Sequence, residues 1–120
     1  MNNASIIEIS RILDIETEII TEREYFKDIE KDIRKIKVSE ERKSDRIISI
    51  CNKEEEIEYI NSIGGKLIYD KSYFKKHDKE LKFLKSTCQI GRYTNLSIIH
   101  LLMEIGIINL KQHLKDYRYE

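Results

Sequence analysis

Hydrophobic and polar positions follow several distinct rhythms along this chain. In the first segment Ile6, Ile9 and Leu13 recur at helical spacing with Ile12 alongside, which predicts an amphipathic helix. Next, Ile15, Thr17 and Ile19 alternate with Glu16 and Glu18, the rhythm of a strand with one polar face. Thr21 is placed to cap a helix over EREYFKDIEKDIRKI, whose Tyr25, Phe26, Ile29, Ile33 and Ile36 form one apolar stripe. Glu30 and Arg34 stand at i, i+4 on its charged side, which reads as a solvated face.

After the polar break KVSEERKSD, Ile47, Ile50 and Cys51 share a helical face with Ile48 beside them, and Ser39 or Ser44 can cap that helix. IEYI then reads as a strand, Gly64-Gly65 as a turn, DKSYFKKH as a short helix and ELKFL as another strand. STCQIGRYTN is a loop. NLSIIHLLMEIG is apolar on nearly every face, the pattern of a buried helix, with Gly106 as its stop. A last helix, NLKQHLKDY, frays into YRYE. Helices alternating with strands predict an α/β fold, a small, mainly parallel three-stranded sheet flanked by helices. Parallel sheets are normally covered on both faces, so three strands read as part of a larger sheet.

Length and composition narrow the picture. The 120 residues suit one domain, 37% of them are charged, and Lys plus Arg equals Asp plus Glu at 22 each. That balance gives no global electrostatic case for nucleic acid or an anionic membrane. No apolar run approaches the ~20 residues that cross a bilayer, and the first residues lack a signal-peptide pattern. Two distant cysteines, Cys51 and Cys88, fit free thiols in a reducing cytoplasm. Cys51 reads as core and Cys88 as an exposed loop residue. No HxxxH or CxxC spacing among His77, His100, His113 and the cysteines marks a metal site, neither cysteine has a neighbouring histidine to suggest a nucleophile pair, and no cofactor is expected.

Three stretches carry candidate chemistry. Gly64-Gly65, straight after a strand, is either a tight turn or a place where a ligand approaches the backbone. It is not a phosphate fingerprint, because neither GxGxxG nor GxxxxGK[ST] is present. At Lys43-Ser44-Asp45-Arg46, Ser44 can cap a helix whose N-terminus favours anions, with Lys43 and Arg46 adding positive charge. The alternative is an ordinary capped, salt-bridged helix start. Asn95 or Ser97 can cap the apolar helix, where His100 stands among Ile99, Leu101 and Leu102.

The ordered set KSDRIISIC, IEYINSIGGKLIYDKSYFKKHDKELKFL and NLSIIHLLMEIG resembles the WbqC-like family. Lys43, Ser44, Arg46, Gly64, Gly65, Asp70, Asn95, Leu96, Ser97, Ile98 and Ile99 match its pattern. Thr94 replaces the usual Pro, His100 replaces the usual Asp, and the family's opening HQPNY-type segment is missing. The chain is therefore similar to the C-terminal half of such a protein, and residues 1–120 are expected to form one truncated domain. The resemblance implies a role in bacterial surface-polysaccharide biosynthesis, with group transfer onto a nucleotide-activated sugar in the complete architecture. It further implies an anionic small molecule held by Lys43, Ser44, Arg46, Gly64, Gly65, Asn95 and Ser97. A chain of this kind is expected to be inactive alone, and to associate with an N-terminal half or with itself. The second reading is an interaction module that associates through an exposed sheet edge.

Overall fold

The computed structural model describes residues 3–36, 39–90 and 96–120. Their elements are α1 (Asn3–Ile12), α2 (Arg23–Ile33), α3 (Ser39–Lys53), β1 (Glu58–Ser62), a 3-10 turn (Ile63–Leu67), α4 (Lys71–Lys76), β2 (Glu80–Ser86), α5 (Ile98–His113) and β3 (Tyr117–Tyr119). The fold is α/β with a three-stranded sheet in the order β1-β2-β3. The chain divides into two compact units, residues 22–85 with 118–120, and residues 1–21 with 86–117.

In the first of these units, α2 buries Ile29 and Ile33 of the predicted stripe. Its N-cap is Glu22, with no side-chain cap, so Thr21 does not play that part. Helix α3 packs beside α2 and buries Ile48 and Cys51. The two helices are also joined by the Lys53 ammonium, which lies 3.8 Å from the Tyr25 ring centroid and donates to the Tyr25 carbonyl at 2.6 Å. Strands β1 and β2 run parallel, with Tyr59 opposite Leu81 and Asn61 opposite Phe83. The 3-10 turn and α4 make the crossover between them, as the sequence pattern predicted. Lys82 pairs with both Glu58 and Glu80, which face each other across the ladder. One core joins these elements: Ile48, Phe74, Leu81 and Phe83 are buried, with Tyr59, Ile63, Tyr69 and Tyr73 against them. Phe74 is wholly enclosed; it stacks on Tyr59 at 5.9 Å and meets Tyr69 edge-on at 6.1 Å.

The third strand is not the predicted one. Residues 15–20 form no strand despite their alternation, because no other strand pairs with them. Its place is taken by β3 at the chain end, where a fraying helix was expected. Phe83 and Glu120 exchange both backbone hydrogen bonds at 2.8 Å, so β3 lies antiparallel to β2 and the sheet is mixed.

In the other unit, α1 ends in a turn at Asp14 (φ 53), and Leu13 is buried. Asp14 pairs with Lys111 of α5. Gly106, at φ 78 and ψ 169, breaks α5, as its sequence position predicted. The Asn109 amide donates to the Ile105 carbonyl at 2.9 Å, satisfying an acceptor released by that break. The expected burial of this helix is not found. Leu110 is its one buried residue, while Met103 is 83% and Ile108 78% exposed. A helix apolar on every face needs neighbours all round, and the described residues do not supply enough of them.

Candidate functional site

A cavity of about 220 Å³ is lined by Glu41 and Ser44 of α3, Ile68 after the 3-10 turn, and Asp70 and Tyr73 of α4. Each wall has a local cause. The 3-10 turn ends as the Ile68 and Tyr69 amides both donate to the Gly65 carbonyl at 2.9 Å. Asp70 then caps α4: its carboxylate accepts from the Ser72 amide at 2.8 Å and the Ser72 hydroxyl at 2.6 Å. These bonds hold the Asp70 carboxyl below its ordinary pKa, so it stays ionised. One turn on, the Tyr73 hydroxyl donates to Asp45 at 2.7 Å. That bond, with burial adding to it, pushes the Tyr73 phenol up to about 12.

The chemistry of the lining follows directly. Glu41 and Asp70 are acceptors only, and Tyr73 has spent its proton on Asp45, leaving oxygen lone pairs. Ser44 is buried and can donate or accept. Among the described residues, no lysine or arginine lines the cavity. An acceptor-rich, cation-free pocket with one aliphatic wall repels phosphate and suits a ligand rich in hydroxyl donors. The Tyr73 phenol is held protonated and the Asp70 carboxyl is held charged, so these two groups act here as hydrogen-bonding partners.

The predicted anion site takes a different form. Helix α3 begins at Ser39, so Ser44 lies inside the helix rather than at its cap, and the dipole argument loses its basis there. Arg46 is already paired: its guanidinium makes two bonds to the Glu30 carboxylate, at 2.5 and 3.1 Å. That contact holds Glu30 below its usual range. Lys43 is exposed on α3. Gly64 and Gly65 occupy the 3-10 turn with ordinary negative φ. Gly65 is needed for space, since an added Cβ would meet the Asn61 side chain at 3.0 Å. Ser97 is the N-cap of α5, accepting from the His100 amide at 3.3 Å. Asn95 lies outside the described residues. Of the predicted set, Ser44 is the described residue that lines the cavity; Glu41 and Tyr73 carried no sequence signal beyond helical position.

Positive charge collects instead on another face of α4. Lys71, Lys75 and Lys79 recur at four-residue spacing and line a groove of about 350 Å³ with Glu80 and Leu81. A second groove, about 440 Å³, runs along α2 between Arg23 and Arg34, but its walls come from that one helix.

A parallel βαβ unit backed by two helices, with an acceptor-lined cavity between α3 and α4, makes this a small α/β protein with a candidate site. The family model of the WbqC-like protein family matches residues 1–112, and the chain belongs to that family. No match was found among curated proteins or among solved structures.

Proposed function

We propose that the protein acts in bacterial surface-polysaccharide biosynthesis and that the cavity at Ser44, Asp70 and Tyr73 binds a sugar. The observation that carries this reading is the lining: two carboxylates, a phenolic oxygen and a hydroxyl beside Ile68, with no cation. Sugar hydroxyls donate to such acceptors, and the C–H face of a pyranose packs on an aliphatic side chain. A nucleotide-activated sugar also carries phosphates, and the lysine row of Lys71 and Lys75 on α4 with Lys79 just after it supports an anionic ligand. Lys43, Arg46, Gly64 and Gly65 would then shape the surroundings of the site, Arg46 through its pair with Glu30. The chain serves recognition within a group-transfer reaction that other residues or a partner complete.

Deleting the gene in its host should reduce or truncate the surface glycan. Complementation with wild-type protein should restore it, and Ser44→Val with Tyr73→Phe should not. An unchanged glycan profile in the deletion strain would refute the proposal.

The alternative reading, an interaction module, has its own support. Strand β1 pairs on one side only among the described residues. Ile57 beside it is 67% exposed, and Leu67 in the following turn is 95% exposed.

A further inference from the structure

The sequence places Cys88 and His113 twenty-five positions apart, yet they meet within the unit formed by residues 1–21 and 86–117. The Cys88 sulfur, a His113 ring nitrogen and an Asp116 carboxylate oxygen all lie within 4.8 Å of one another. The backbone builds this convergence. The Thr87 amide donates to the Asp116 carbonyl at 2.8 Å, which fixes the Cys88 loop beside the end of α5. The Asp116 amide donates to the His113 carbonyl at 3.1 Å, turning the chain so that both side chains face one way. The Cys88 amide is held by the Ser86 hydroxyl at 3.3 Å, and His113 Nδ1 lies 2.6 Å from Asp116 Oδ2.

We propose that Cys88, His113 and Asp116 form a binding site for a divalent transition metal of the Zn²⁺ type. The donor set decides the metal class. A thiolate and an imidazole with one carboxylate match Zn²⁺, whereas Mg²⁺ and Ca²⁺ take oxygen ligands throughout. A tetrahedral Zn²⁺ with bonds of about 2.0–2.3 Å sets its ligand atoms roughly 3.3–3.8 Å apart, so closing the site draws the widest pair in by about 1 Å and widens the His113–Asp116 pair from 2.6 Å. On binding, the Cys88 thiol releases its proton to solvent, and the ion takes the place of the hydrogen between His113 and Asp116, leaving the neutral imidazole with its proton on Nε2. Thiolate and carboxylate then cancel the two positive charges, which suits a half-buried site. All three residues are half-exposed, leaving an entry path and a fourth position for water or an outside ligand. The ion would tie the segment after β2 to the end of α5.

The test is a Co²⁺ titration of the full chain in a phosphine reductant, followed by displacement with Zn²⁺. The expected result is one equivalent bound with a thiolate-to-cobalt charge-transfer band, unchanged in Cys51→Ser. Cys88→Ser should lose the band and at least 100-fold in affinity, and Asp116→Asn about 10-fold. Circular dichroism of each variant confirms that it is folded, and Asp116→Asn keeps the site testable should Cys88→Ser not fold. A band that survives in Cys88→Ser overturns the proposal. So does no binding combined with rapid alkylation of Cys88 that His113→Asn slows, which would make the cluster a thiolate–imidazole nucleophile instead.

Discussion

Replacing Gly65 by alanine separates two physical roles of the Gly64-Gly65 pair. Gly65 is buried, and an added Cβ would lie 3.0 Å from Asn61 Cγ and 3.1 Å from its Oδ1. The Asn61 amide cannot simply swing away. Its nitrogen donates to the Tyr59 hydroxyl at 2.8 Å, and its oxygen accepts from the Ser62 amide at 2.7 Å. Relief therefore needs either a backbone shift in a turn that also orients Ile68 and Asp70, or loss of one of these bonds. Overpacking costs about 1–3 kcal/mol and a lost hydrogen bond about 1 kcal/mol, so Gly65→Ala should destabilise by about 2 kcal/mol. For a chain of this length that is a fall in Tm of roughly 6–12 °C. Gly64→Ala is the control. Its Cβ would meet only the Ser62 hydroxyl, at 4.0 Å, and its φ is ordinary, so it should be neutral or stabilising by up to about 1 kcal/mol. Urea titration and thermal melts of both variants, with Gly65→Ala repeated in an Asn61→Ala background, measure the effect. The double mutant should show a favourable coupling of about 1 kcal/mol. Equal effects of the two alanines, or no coupling, would show that Gly65 is not kept for space.

Phe74→Ala empties a wholly enclosed aromatic position and should cost about 3–5 kcal/mol, read by urea denaturation. Acid should destabilise the fold. Glu30 and Asp70 both have folded pKa values below their ordinary 4.5 and 3.8, so their contributions are complete above those values and are lost as pH falls through the depressed ones. Glu30→Gln should flatten stability against pH below about 4.5, while costing no more than about 1 kcal/mol at neutral pH, since both partners of the pair are more than a third exposed. Sedimentation at rising concentration should show self-association that Ile57→Lys weakens, because that exposed side chain flanks the edge of β1 that is unpaired among the described residues. A monodisperse monomer at high concentration would refute the edge argument.

Where a segment's own periodicity matched its surroundings, the sequence was readable. The α2 stripe, the parallel pair β1 and β2, the Asp70-capped α4 and the break at Gly106 all follow from local pattern. Residues 15–20 misled because alternation states which face could be buried but not whether a strand stands beside it. Strand β3 was missed because three residues at a chain end carry little pattern, although Tyr-Arg-Tyr does alternate in the strand rhythm. Capping suggested Ser44, but α3 begins at Ser39, so Ser44 is a buried hydroxyl inside the helix, on the side that faces α4. Tyr73 and Glu41 owe their place in the pocket to the packing of α3 against α4, and the Cys88–His113–Asp116 cluster to chain paths that no spacing rule records.

Amide NMR during a nucleotide-sugar titration tests whether the pocket between α3 and α4 recognises sugar hydroxyls. Saturable shifts are expected at Ser44, Ile68 and Tyr73 that the free sugar reproduces more weakly, that inorganic pyrophosphate does not, and that Tyr73→Phe diminishes. Shifts confined to residues away from α3 and α4, or equal shifts with pyrophosphate alone, would contradict it.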